Sequence, residues 1–226
     1  MRSTSAGDRR TAATRSAIRD AGIARFARDG FGAGLRAIAA DAGVSPALII
    51  HHFGSKDGLR AACDEHVLAV VHEHKSSAIT TGGPAAALAS MARLDELAPY
   101  VGYCLQAVQA GGEIARSFLA SFIADAESYI AEGVAAGTIR PSRDEKARAA
   151  YLTLTGFSAI LLDMRLHPPA DPSDLSAIMR GYLERTALPS IELFTEGLFT
   201  DHRMLDEYLL FVTDPPPPAG PDVPAP

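Results

Sequence analysis

The chain has 226 residues, 47% of them hydrophobic and 21% charged, which supplies a sizeable core and excludes a disordered chain. Its two cysteines, Cys63 and Cys104, exclude a disulfide framework. The net charge of −6 divides unevenly: residues 1–60 hold ten Lys and Arg against five Asp, whereas residues 61–226 hold 11 basic against 22 acidic side chains. A basic head on an acidic body suits a chain that meets a polyanion at one end.

In chain order, residues 1–10 are polar and basic, without the apolar run of a secretion signal, and read as a flexible basic arm. Apolar residues then recur at three- and four-residue spacing and strand signals are nearly absent, so the fold class is all-α. A helix is expected over 11–28, with Ile18, Ala21, Gly22 and Phe26 on one face, and Asp29-Gly30 stops it. A short helix follows at 35–41, and Ala42-Gly43-Val44 turns the chain. Ser45-Pro46 opens a third helix, Ser as N-cap and Pro as first residue, which ends near Phe53-Gly54. Ser55 caps a fourth that begins at Lys56 and runs towards His74.

A break at 80–84 separates this head from helices expected at 85–96, 98–110 and 112–136, the last ended by Gly137. Ser142-Arg143-Asp144-Glu145 reads as a capping box for a helix that reaches Leu166, where His167-Pro168-Pro169 forbids continuation. The apolar stretch within it, 151–164, is too short to span a bilayer, so a cytoplasmic protein without a membrane partner is expected. Another helix is expected over 173–186, meeting Pro189, and the stretch to 212 also reads as helical. From Asp214 onward seven of thirteen residues are Pro, the composition of a disordered tail over 213–226. The pattern therefore divides the chain into an arm at 1–10, a head of short helices at 11–64, a longer helical body at 65–212 and a tail at 213–226.

The segment 35–53 carries the function. A helix-turn-helix needs small residues where its helices cross, supplied by Ala39 and Ala42, and a turn residue tolerant of positive φ, supplied by Gly43. Ile38, Val44, Ile49 and Phe53 are the inward anchors. The outer face then carries Pro46, Ala47, Leu48, His51 and His52, on a helix about 10 Å long that suits a major groove.

Ile38-Ala39, Ala42-Gly43-Val44-Ser45, His52-Phe53 and Ser55-Lys56-Asp57-Gly58-Leu59, with Phe26, Gly30 and Phe31 before them, resemble the DNA-binding signature of the TetR/AcrR family of bacterial regulators. The resemblance covers residues 11–64. It implies a three-helix head on a larger helical ligand-binding and dimerisation domain, and a double-stranded operator as partner. Lys56 matches the family lysine that touches phosphate, where the helix dipole adds its share. His52 matches a His or Tyr of the recognition helix, His51 a position often aromatic, and Ser45 the N-cap. Arg36 stands where some members reach bases or phosphate, and its bidentate fork makes it the best candidate for direct base reading. Three residues depart from the pattern: Gly34 replaces a capping Thr or Ser, Ile50 a frequent Tyr, and Leu48 a small polar residue. Arg36, the two histidines and the arm (Arg2, Arg9, Arg10) are left to carry more of the contact.

The aromatic and apolar residues of the middle helices, including Met91, Leu94, Tyr100, Tyr103, Phe118, Phe122, Tyr151, Phe157 and Met164, are first of all core. The resemblance implies that such helices enclose a cavity for an unidentified small-molecule effector, with Met91, Tyr100, Tyr103, Phe118, Phe122, Tyr151 and Phe157 as candidate lining. It also implies a four-helix dimer interface from the helices bearing Leu152, Ala159 and Leu162, and Leu175, Met179 and Tyr182. The whole reads as a ligand-responsive homodimeric repressor of a near-palindromic operator. An activator of the same family, a metal-binding sensor and a helical adaptor remain as alternatives. Cys63 and His66 stand three apart on a helix, but two ligands are not a metal site. No cofactor, metal or catalytic residue is expected.

Overall fold

In the computed structural model, which describes residues 6–81 and 93–212, the chain is α-helical, with nine helices and no strand among the described residues. They are α1 (Ala6–Asp29), α2 (Leu35–Asp41), α3 (Pro46–Phe53), α4 (Lys56–Thr81), α5 (Leu94–Gln109), α6 (Gly112–Ala135), α7 (Glu145–Leu166), α8 (Leu175–Glu196) and α9 (Arg203–Phe211). Arg2, Met91, most of the helix expected at 85–96 and the tail at 213–226 lie outside the described residues.

Several boundaries differ from expectation for identifiable reasons. Nothing between Ala6 and Arg10 breaks a helix, and Asp8 suits a first turn, so Arg9 and Arg10 belong to α1 rather than to an arm. α4 runs to Thr81, beyond His74. The residues 98–110 join Leu94 in one helix that passes through Pro99. α8 likewise passes through Pro189 and ends only at Gly197, whose N–H donates to the Leu193 carbonyl at 3.0 Å. Pro189 lies on an exposed length of helix, where a carbonyl that loses its donor can turn to solvent. The capping box is half formed. Glu145 accepts from the Ser142 N–H at 2.7 Å, but the N-cap is Asp144, which accepts from the Ala147 N–H at 2.9 Å.

Head and body share one hydrophobic core. It runs from Ile18, Phe26, Ile38, Ile49 and Leu59 into Tyr103, Phe118, Phe122 and Phe157 without a break. α1 lies along α5, α4 along α6, and α6 along α7, so the boundary expected at residue 64 falls inside a continuous 26-residue α4. A smaller cluster of Ala126, Ile130 and Ala149 closes the far end of α6 against α7. α8 lies along α5, with Ile178 and Met179 buried, and is fastened to α7 by Arg185, whose Nε donates to Asp163 Oδ1 at 2.9 Å. The Arg185 hydrogen bond, with His167 adding a second partner, holds the Asp163 carboxyl below its ordinary pKa.

Over its full 22 residues α7 is, among the described residues, the one helix long and apolar enough to cross a membrane, a length that the stretch 151–164 alone did not reach. Part of its apolarity faces the cores through Leu152, Phe157, Ile160, Leu161 and Met164, and part lies on an exposed stripe that includes Tyr151, Leu154, Leu162 and Leu166. From Ile191 to Tyr208 every residue is exposed, apolar ones included.

Candidate nucleic-acid interface and its links to the body

The α2–α3 corner is built as its sequence requires. Gly43 adopts φ +64°, a conformation that L side chains rarely take, and the Val44 N–H closes the turn on the Ala39 carbonyl at 2.9 Å. Ile38, Ala39 and Ile49 are buried beneath it, and Val44 and Phe53 pack against the same core. Ser45 Oγ accepts from the Leu48 N–H at 3.2 Å, so the expected N-cap of α3 is formed. Arg25 clamps the corner to α1: Nε and Nη2 donate to the two Asp41 oxygens at 2.7 and 2.6 Å, and Nη1 donates to Asp29 at 2.8 Å. The Arg25 guanidinium holds both carboxyls below their ordinary range, while they push its own pKa up.

On the outer face Arg36, Ser45, Pro46, Ala47 and His51 are exposed and His52 is half-buried. The imidazoles of His51 and His52 meet edge to face at 5.4 Å. Leu48, expected outward, packs against the head's core, while its neighbour Ile50 stands 42% exposed. Leu48 falls on the side of this short helix that leans towards the body of the head, a matter of helical phase that residue type alone does not decide.

Lys56 opens α4, and its ammonium donates to the Phe31 carbonyl at 2.7 Å. One of its three protons is thereby used to bind the α1–α2 loop to α4, and the group is fixed in place at a helix N-terminus. The turn before it is tight: Ser55 Oγ accepts from the Gly58 N–H at 2.9 Å, and a Cβ on Gly58 would sit 2.0 Å from the Phe53 carbonyl oxygen. Arg15, on α1, stacks its guanidinium 4.8 Å from the centre of the Phe53 ring, adding a cation beside the end of α3. Sequence spacing places Arg15 outside the apolar face of α1, but that it reaches Phe53 is visible only in the folded head.

The residues expected to line an effector cavity are not brought to one place. Tyr103 is fully buried at the seam of head and body, its ring 5.2 Å from Phe31 and 6.3 Å from Phe118. Phe118, Phe122 and Phe157 continue that column, with ring centres 5.9 and 4.9 Å apart. Tyr100 lines a cleft of about 240 Å³ between α4 and α5, with His66, Val70, His74 and Leu97. Tyr151 is 67% exposed on α7, away from the column. Both cysteines are buried, and burial pushes each thiol up to about 12, so Cys63 packs as a small core residue. Among the described residues no group of three or more His, Cys, Asp or Glu side chains is placed to hold a metal ion.

One polar bridge went unmarked in the sequence. His72 on α4 meets Asp125 on α6 at 2.7 Å through Nδ1 and Glu132 at 3.3 Å through Nε2, and Ser76 donates to Glu132. Desolvation lowers the imidazole, but the two carboxylates outweigh it and its pKa is raised. Burial raises Asp125 more than His72 lowers it. Partners 53 residues apart leave no local spacing signal.

Two family profiles match the chain. "Bacterial regulatory proteins, tetR family" matches residues 18–63, and "Tetracyclin repressor-like, C-terminal domain" matches residues 95–200. The HTH-type transcriptional regulatory protein RaaS of Mycobacterium tuberculosis is 47% identical over 192 residues, covering 85% of this chain and 90% of that protein. Among solved structures, a TetR-family transcriptional regulator from Streptomyces coelicolor aligns with a TM-score of 0.53 at 16% identity, over 88% of this chain and 97% of its own. FadR from Bacillus subtilis, solved in complex with stearoyl-CoA, aligns with a TM-score of 0.51 at 18% identity, over 81% of this chain and 99% of its own.

Proposed function

The chain belongs to the TetR family of bacterial transcription regulators, DNA-binding proteins rather than enzymes, and on that premise we propose that it is a homodimeric repressor released from its operator by a small-molecule effector. The observation that carries the reading is the open face of the α2–α3 corner. It combines a capped helix with exposed small residues at its start, an exposed Arg36 beside it and a fixed Lys56 ammonium at the α4 terminus.

In this reading residues 11–64 grip DNA and residues 65–212 dimerise and sense. Arg36 reads a base edge, and Ser45, Pro46, Ala47, His51 and His52 line the groove. Lys56 gives one of its remaining protons to phosphate, and Ile50 takes up the apolar contact first assigned to Leu48. The exposed stripe of α7 and its neighbour α8 supply the dimer face. Two recognition helices in a symmetric dimer would then stand about 34–36 Å apart and demand a near-palindromic site. The effector acts on the body, where Tyr100 and the aromatic column lie, and shifts the dimer only by as much as it prefers the form that cannot bind DNA. That FadR was solved with an acyl-CoA supports an effector within this fold without naming the one used here.

Selection of preferred sites from random duplex DNA by the purified protein, at about physiological salt, tests the reading. Enrichment of a palindrome with half-sites one helical turn apart is the expected result. A pool without enrichment would overturn operator reading by the head alone. Placing that palindrome in front of a reporter separates repression from activation.

A further inference from the structure

The first turns of α1 cover nothing. Residues 7–13 are exposed on every side of the helix, and the first fully buried residue is Ile18. The body is met farther on: the Phe26 ring lies 6.2 Å from that of Tyr103, and the Ala27 carbonyl accepts from Gln106 Nε2 at 3.5 Å. Arg15 stands 11 residues before Phe26, roughly 16 Å along the helix, so this end of α1 projects away from the body. The arginines of α1 divide in the same way. Arg19 pairs with Asp20, Arg25 with Asp29 and Asp41, and Arg28 with Asp29. Among the described residues Arg9, Arg10 and Arg15 take part in no ion pair. Arg15 is nevertheless held, its guanidinium 4.8 Å from the centre of the Phe53 ring, the last residue of α3. Phe53 meets the His52 ring at 6.3 Å, and His52 meets His51 at 5.4 Å. A row of planar groups thus runs from the two histidines of the outer face to a cation on another helix.

We propose that Arg15 is a phosphate-binding residue of the DNA interface, held by the Phe53 ring so that its N–H edge meets the sugar-phosphate wall beside the C-terminal end of α3. The inference rests on the operator reading above. It adds α1 to a contact surface otherwise built from α2, α3 and the start of α4. Stacking engages the face of the guanidinium and leaves the N–H donors at its edge. Those donors match the oxygens of a phosphate, and a stacked side chain has already given up rotamer freedom that binding would otherwise cost. A helix seated in the major groove has phosphate walls on both sides, so a cation at the flank of its last residue faces backbone rather than base edges. A carboxylate within the protein would compete for such a group, as it does at Arg19, Arg25 and Arg28, and among the described residues none pairs with Arg15.

The test uses the full chain as wild type, Arg15→Gln, Arg15→Lys and, as control, Arg28→Gln, which removes the same charge from the body end of α1. Arg15 and Arg28 are both exposed, so helical content by circular dichroism should match throughout. Binding to a labelled random-sequence duplex of about 30 base pairs, long enough for two half-sites, is measured at several salt concentrations between about 50 and 200 mM. Arg15→Gln should lower the slope of log affinity against log salt by about 0.9 for each bound copy, so that over this range its affinity falls about 3.5-fold less than that of the wild type. Arg15→Lys should restore the slope, since counterion release counts charge, and Arg28→Gln should leave it at the wild-type value. An Arg15→Gln slope equal to that of the wild type, with only the thermal midpoint lowered, would make the stack a matter of stability alone and overturn the proposal. Equal reductions by Arg15→Gln and Arg28→Gln would point to general charge instead of a contact and overturn it as well. A wild type that does not bind the duplex, or binds it without salt dependence, would overturn the operator reading together with the proposal.

Discussion

The hydroxyl of Tyr103 on α5 donates a 2.6 Å hydrogen bond to Asp64 on α4, and Arg60 pairs with the other oxygen of that carboxylate at 2.9 Å. Burial raises the Asp64 pKa, and the Tyr103 and Arg60 contacts pull it back only in part. Tyr103→Phe removes the donor but keeps the ring among Phe26, Phe31 and Phe118. The loss should be about 1–3 kcal/mol by chemical denaturation, and the Asp64 pKa should rise further in carboxylate NMR. An unchanged midpoint would mean that the seam is held by ring packing alone.

Arg36 and Lys56 should respond differently to truncation. Arg36→Ala should cost about 1–3 kcal/mol at the preferred site and relax preference at particular base pairs. Lys56→Ala should weaken all sequences alike and reduce the salt slope by about one. Its bond to the Phe31 carbonyl adds a second, DNA-independent effect, a modest loss of thermal stability. Binding isotherms on matched and mismatched duplexes at several salt concentrations distinguish the two. Equal weakening on every duplex by Arg36→Ala would remove its base-reading role.

Gly58→Ala should be far costlier than an exposed Gly→Ala change. Its new Cβ would meet a carbonyl oxygen at 2.0 Å, and both partners are backbone that cannot swing aside. The α3–α4 turn must open, so a loss above about 3 kcal/mol and a failure to bind operator are expected. Gly32→Ala, where nothing lies within 4 Å, is the control.

The α4–α6 bridge should make stability depend on pH. The raised pKa of His72 contributes stability that is fully present below the imidazole's ordinary 6.5 and lost as pH rises through the folded value above it. Asp125, also raised, acts with the same sign at its own, more acidic step. Glu132 and Tyr129 also face the imidazole, and burial holds the Tyr129 phenol at about 12, outside this range. The thermal midpoint of the wild type should fall between about pH 6 and 8, and His72→Gln should flatten that slope. A slope unchanged by the substitution would assign it to other groups.

Local chemistry made the head legible. Gly43, Ser45-Pro46 and Gly30 each do in the fold what their residue types require, because turns and caps are decided within a few residues. Pro189 misled because an exposed helix can lose one backbone donor and continue. The Ser142 box was read two positions early because Asp144, a competing cap, lies within it. Arg25, Tyr103 and His72 act on partners 16, 39 and 53 residues away, and no spacing rule reaches that far. The candidate effector residues were Met91 and six aromatics of the middle helices, and four of these, Tyr103, Phe118, Phe122 and Phe157, form the packed column that starts at the seam of head and body.

α4 is tied at three points along one rod: to the α1–α2 loop at Lys56, to α5 at Asp64 and to α6 at His72 and Ser76. About 12 Å of helix lies on the DNA side of Asp64 and about 26 Å on the other, at 1.5 Å per residue. If Asp64 is the fulcrum, the rod is a lever whose short arm ends at Lys56, on the proposed DNA face. A tilt of about 6° would carry the far end by roughly 2.5 Å and the Lys56 end by little more than 1 Å. A coarse displacement in the body thus arrives at the groove reduced by half, as a small misregistration, and small misregistrations are what paired hydrogen bonds to base edges tolerate least.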